Sequence, residues 1–108
     1  EWFTFIPARE YFDEPGDHAD ELETSVMMHY HPELVDLSEA GDGKSKKFAS
    51  QMLNEKVAWV PRHWTRVTED TGIGNPKKAT AEKGKRYAEA VTAKYAQLFK
   101  ELTEEIYQ

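Results

Sequence analysis

Between Gly16 and Met28 the chain reads Gly-Asp-His-Ala-Asp-Glu-Leu-Glu-Thr-Ser-Val-Met-Met, and this stretch restricts the fold more than any other. Five ionisable residues, Asp17, His18, Asp20, Glu21 and Glu23, fall within seven positions, and an apolar run follows at once. Gly16 breaks whatever precedes it. Asp17 carries the carboxylate that an N-cap uses to accept from the free N–H groups of a first helical turn. Asp20, Glu21 and Glu23 then stand where the positive end of a helix dipole favours negative charge. On its own the stretch is an acidic helix start. A sharper reading comes from spacing. His18 and Glu23 are five apart, roughly 140° around a regular helix. They share one polar crevice only if His18 is still in the loop before the helix. An imidazole and a carboxylate so placed suit proton transfer or metal binding.

The rest of the chain divides at its prolines and glycines. Trp2 to Ile6 is aromatic and β-branched and predicts a strand ended by Pro7. Ala8 to Pro15 is irregular, with Tyr11 and Phe12 either at a pocket mouth or over the edge of the core. The first helix is predicted over 18–30, with Ala19, Leu22, Val26 and Tyr30 on one buried stripe. It stops at Pro32, because a residue before proline is pushed out of the helical region. His29 and His31 flank Tyr30, but no carboxylate is spaced to complete a metal set with them, and they read as surface residues at the helix end. Pro32 to Leu37 is a short connection held by three apolar side chains. Ser38 to Lys47 is a glycine-containing loop, solvated or, through Lys44, Lys46 and Lys47, attractive to an anion.

Phe48 to Leu53 predicts one or two helical turns. Val57 to Val60 and Trp64 to Thr68 predict strands. Arg62, His63 and Trp64, around the bend between them, are candidates for substrate or interface contact. Asp70-Thr71-Gly72-Ile73-Gly74-Asn75-Pro76 is a tight loop whose glycines serve positive φ or close backbone approach rather than phosphate binding. A last helix is predicted from Thr80, a good N-cap, to Tyr107. Its stripe is Gly84, Tyr87, Val91, Tyr95, Leu98, Leu102 and Ile106, with Gly84 permitting close contact.

The run His18-Ala19-Asp20-Glu21-Leu22-Glu23-Thr24-Ser25, followed by His31-Pro32-Glu33-Leu34-Val35, closely resembles the motif of the creatininase (creatinine amidohydrolase) family. Gly72-Ile73-Gly74-Asn75-Pro76, Ala79-Thr80 and Glu82-Lys83-Gly84 resemble the segment before that family's last helix. The resemblance covers the chain from about Gly16 onward, and the second half of the family's fold. It implies an α/β protein, part of a three-layer α/β/α sandwich with a mostly parallel sheet. It implies an amidohydrolase that cleaves a C–N bond of a small cyclic or linear amide at two divalent ions (zinc, manganese or iron). It also implies a homo-oligomer, often a hexamer. The family's Glu-x-His…Asp and Asn-Gly-His motifs, which hold most metal ligands, do not occur in this sequence. His18 matches the family's active-site histidine, which contacts substrate and shuttles protons. Glu23 matches its second glutamate, a metal ligand or the carboxylate beside it. Glu21 matches the other glutamate, which orients the shell around the site.

Two departures separate the chain from creatininase itself. Asp20 replaces a family glycine. Glu14 and Pro15 stand where creatininase has a Trp-Asp pair in a flap over its substrate. The expectation is therefore an amidohydrolase of this family that is not a true creatininase.

The net charge of −6 argues against nucleic acid, whose phosphates need a basic footprint. No apolar run approaches the ~20 residues of a membrane helix. The absence of Cys fits a reducing compartment, so a cytoplasmic location is expected. The sequence opens on Glu1 and at once on strand-like residues. This leads us to expect a piece of a longer polypeptide or one of two paired chains, forming a single domain over 1–108 or the C-terminal half of a larger one. The partners expected are a small amide and an N-terminal half or complementary chain. The alternative is a non-catalytic interaction module without metal.

Overall fold

The structure is a computed structural model that describes residues 2–108. Two helices dominate it, α1 (Glu21–Tyr30) and α4 (Ala81–Glu101), which pack against each other. Two one-turn helices lie between them, α2 (Gln51–Asn54) and α3 (Trp64–Val67), and the rest is turns and loops.

Asp20, not Asp17, caps α1, its side chain accepting from the Glu23 N–H. The helix begins three residues later than predicted because Ala19 takes a left-handed φ of 49°, which breaks the helical path between His18 and Glu21. The far end is as predicted. His31 is the C-cap, and Pro32 opens a separate 3-10 turn. Thr80 caps α4 by accepting from the Lys83 N–H. That helix stops at Glu101, so Leu102 and Ile106 lie beyond it.

The buried stripe of α1 is narrower than its apolar pattern suggests. Leu22 is buried, but so are Glu21 and Ser25, while Ala19 and Tyr30 are exposed. Ser25 is the seam between the helices. Its hydroxyl accepts from the Thr80 N–H at 3.1 Å, and its carbonyl lies against Gly84. Tyr87, one turn further along α4, is fully buried and donates to the carbonyls of Phe3 and Ile6. Trp2, Tyr11 and Phe12 meet its ring edge-on at 5.3–6.1 Å. Phe12 is thus a core residue, not part of a pocket mouth.

The three predicted strands are not strands. Trp2–Thr4 is a 3-10 turn, 57–60 has no regular structure, and 64–67 is α3. The β-prone residues of 2–6 fold back around Tyr87 instead of pairing with a neighbour, and β propensity without a partner strand does not make a ladder. Extended pairing among the described residues is confined to two isolated antiparallel bridges, His18 with Ile73 and Ser45 with Thr68. The parallel sheet of the expected sandwich is therefore not formed within these residues.

The chain exposes 8287 Å², against ~6,200 Å² for a closed monomer of this mass. Its radius of gyration is 16.7 Å, where about 13 Å is usual for this length. Large apolar side chains contribute to this surface. Trp59 is 82% exposed, and Leu34, Val57 and Phe99 are each more than half exposed.

A Cβ at Gly84 would stand 1.8 Å from the Ser25 carbonyl oxygen, so Gly84→Ala forces α1 and α4 apart. Urea unfolding of this variant should show a loss of about 1–3 kcal/mol, the usual cost of overpacking. In an exposed helix the same change gains about 1 kcal/mol; a gain here would overturn the close contact.

Candidate functional site

The site is built on the loop that enters α1. Asp17 and His18 both donate backbone N–H groups to the Ile73 carbonyl, at 2.7 and 2.9 Å, and the Ile73 N–H returns a bond to the His18 carbonyl at 2.8 Å. Gly74 follows at φ +126°, and a Cβ there would press on Asp20 and Gly16. The two glycine-containing segments of the sequence therefore meet backbone to backbone. Gly16 N–H donates to one oxygen of Asp20 and Glu23 N–H to the other, so the buried Asp20 carboxylate closes the turn. The charge that Asp20 adds is spent on this cap.

This loop leaves His18 outside the helix, as sharing a crevice with Glu23 requires. His18 Nδ1 lies 3.8 Å from Glu23 Oε2, with the two side chains 45% and 38% exposed. The Ala19 N–H donates to that same Oε2 at 2.7 Å, a variant of the capping box. Glu23 Oε1 accepts no hydrogen bond from the described residues. A cavity of about 510 Å³ opens beside Glu23, bordered by Ala19, Thr24, Met27, Asp70 and Gly72, a size that suits a small ligand.

Glu21 points the other way, into the protein. It has no exposed surface, and it accepts from the backbone N–H of Asp13 and Glu14 and from Lys83 Nζ, at 2.8–3.1 Å. Burial pushes its carboxyl up, but the bonds from Glu14, Lys83 and Asp13 outweigh that and hold it below the ordinary value. Lys83 is held above its ordinary value by its hydrogen bonds to Glu21 and Asp13. Asp13 is lowered by the same lysine. Among the described residues no side-chain hydrogen bond or ion pair joins Glu21 to His18 or Glu23. It fixes the backbone from which the His18 loop departs.

Of the basic and aromatic residues around 62–64, two reach the site. Arg62 pairs with Asp17 at 2.8 Å and lies over the Trp64 ring, and Trp64 meets the His18 imidazole at 4.8 Å between ring centres. His63 instead precedes α3, its ring 3.3 Å from the Thr65 hydroxyl. His31 pairs with Glu33. Sequence reasoning missed Lys83 and Asp13 as partners of Glu21. The Glu-Lys-Gly match flagged Lys83 only as a motif member, and nothing in the sequence marks Asp13.

His18 and Glu23 offer one nitrogen and one carboxylate, chemically suitable metal donors. Among the described residues, however, no group of three His, Cys, Asp or Glu side chains is placed to hold an ion. The residues present do not make a metal centre by themselves. Among the described residues, too, no helix is long and apolar enough to cross a membrane.

The profile of the family described as creatininase, creatinine amidohydrolase, matches residues 4–99. No curated protein matches. A crystal structure from Bacteroides fragilis NCTC 9343, provisionally described as a creatinine amidohydrolase, superposes with a TM-score of 0.93 at 59% sequence identity. The match covers 100% of this chain and 44% of that one, so the chain spans less than half the length of this relative. The backbone described above is therefore that of a stretch of a creatininase-like fold.

Lys83→Met strands a buried carboxylate and should cost about 3 kcal/mol in urea unfolding, the low end for a broken buried pair because Lys83 is partly solvated. The pH dependence follows from the two directions of shift. The Glu21 contribution is present above its ordinary 4.5 and is lost as pH falls through its lower folded value. The Lys83 contribution is present below 10.5 and is lost as pH rises through its higher folded value. Glu21→Gln should remove the acid limb contributed by this residue; an unchanged acid limb would show that the pair does not govern it.

Proposed function

The chain belongs to the creatininase family, and on that premise we propose that it is the C-terminal part of a dinuclear-metal amidohydrolase cleaving the C–N bond of a small cyclic or linear amide. One observation carries this reading for the chain itself. A loop histidine and a first-turn carboxylate, His18 and Glu23, face each other 3.8 Å apart, and Glu23 borders a ligand-sized cavity.

In this proposal His18 is the proton carrier. Amide hydrolysis needs a proton delivered to the leaving nitrogen as the C–N bond breaks, and a half-exposed imidazole can deliver it. Glu23 stands beside it, its Oε2 3.8 Å from Nδ1. Glu23 also stands where it can reach a metal, because Oε2 serves the Ala19 N–H and Oε1 is left. The metal pair, zinc, manganese or iron, belongs to ligands supplied by an N-terminal half or complementary chain. The exposed large apolar side chains among residues 2–108 favour such a partner. Glu21 acts at a distance, holding the 13–14 backbone. Glu14 and Pro15, in place of the flap pair, favour an amide other than creatinine. A cytoplasmic homo-oligomer, with a hexamer as the expected size, completes the proposal.

His18→Ala and Glu23→Gln, made in the complete protein, should each lower amide hydrolysis by about 100-fold or more while leaving thermal unfolding in place. Retained activity in both variants would sink the assignment. Native mass spectrometry of the same protein should find an assembly with two metal ions per site. A lone metal-free chain would favour an interaction module instead.

A further inference from the structure

Residues 62–74 hold His18 at two points. Ile73 holds its backbone through the paired bonds already described. Trp64 holds its ring, with the indole and imidazole planes tilted by 59° at 4.8 Å. Among the described residues no hydrogen bond fixes that ring, since the approach to Glu23 at 3.8 Å is beyond hydrogen-bonding distance. The indole is the aromatic contact that the ring makes among the described residues.

Trp64 is itself braced. The Arg62 guanidinium lies 4.7 Å from its ring centre and is tied to Asp17, the residue before His18, at 2.8 Å. The Thr68 hydroxyl donates to the Trp64 carbonyl at 2.8 Å, and Thr68 is bridged to Ser45. A one-turn helix is a poor platform unaided; these contacts give α3 a defined place. Aspartate, guanidinium, indole and imidazole form a closed chain that starts at Asp17 and returns to its neighbour His18.

We infer that Trp64 is a positioning residue: it sets the plane in which the His18 imidazole meets substrate, and Arg62 holds the indole in place. The inference rests on the hydrolytic role proposed for His18, and it concerns a residue outside both sequence motifs. A positioning residue acts on kcat, because its loss lets the ring leave the reactive orientation without removing a substrate contact. A wall of the binding cavity would act on KM instead.

The test compares Trp64→Leu and Trp64→Phe with the parent in the complete protein, by kinetics on an amide that the parent hydrolyses and by NMR of the His18 ring protons. Trp64→Leu should lower kcat about 3- to 10-fold with KM changed less than about twofold. It should also abolish the ring-current displacement of the His18 resonances. Trp64→Phe, which keeps an aromatic face, should retain most of both. An unchanged kcat, a raised KM at constant kcat, or unmoved His18 resonances in Trp64→Leu would overturn the inference. If the parent hydrolyses no amide, the hydrolytic reading fails separately and the resonances decide. Displacement in the parent and Trp64→Phe but not in Trp64→Leu supports positioning, and equal spectra in all three overturn it.

Discussion

A carboxylate with no solvent exposure has to be supplied with donors, and meeting that demand at Glu21 shapes the structure around the site. An ionised group moved out of water costs several kcal/mol unless hydrogen bonds and an opposite charge replace its hydration. Glu21 receives two backbone N–H groups and the Lys83 ammonium. The donors come from two distant parts of the chain, so satisfying one side chain draws the 13–14 loop and the start of α4 onto the first turn of α1. Lys83 extends the clamp by also reaching Asp13 and the Lys78 carbonyl. The loop that carries His18 leaves from this fixed point.

Close approach of α1 and α4 is the second requirement, and it depends on small residues. Gly84 lets the Ser25 carbonyl sit where a side chain would be, and the Ser25 hydroxyl caps the free Thr80 N–H at the entry to α4. With Ser25 and Glu21 both buried, the contact face of α1 is more polar than a helix stripe usually is. That polarity is why its apolar periodicity located the helix but misjudged its buried face. Leu22 was legible as core; Ala19 and Tyr30 were not legible as exposed.

What the sequence disclosed and what it hid divide along the same line. The C-terminal end of α1, the Thr80 cap of α4, the turn at Pro32 and the close approach at Gly84 follow from local chemistry: caps, proline and the absence of a Cβ. The cap at Asp20 rather than Asp17 did not, because it hangs on a left-handed Ala19 that the Ile73 pairing enforces from 54 residues away. The strands expected at 2–6, 57–60 and 64–68 failed for want of partners, since residue types suited to a pleated surface do not create one. His18 and Glu23 were recognised as a possible pair. The contact of Trp64 with His18 lies beyond the reach of any local signal, although the residue type of Trp64 suits a substrate or interface contact.

Glu23 shows how a motif position can serve structure and chemistry at once. As the third residue of α1 it is where a capping box needs a carboxylate, and Oε2 accepts from the N–H of Ala19, a residue held at a left-handed φ. That bond restrains the carboxylate before any ligand arrives, which reduces the ordering cost of engaging one. The same restraint brings Oε2 to 3.8 Å from His18 and leaves Oε1 without a partner among the described residues. A glutamate retained only as a cap would need no imidazole beside it, and an isolated acid–base pair would need no left-handed residue between its members. The left-handed Ala19 makes the two uses compatible. It delays the helix until Asp20 can cap it, and it leaves His18 in the loop where a residue five positions before Glu23 can still face the same crevice.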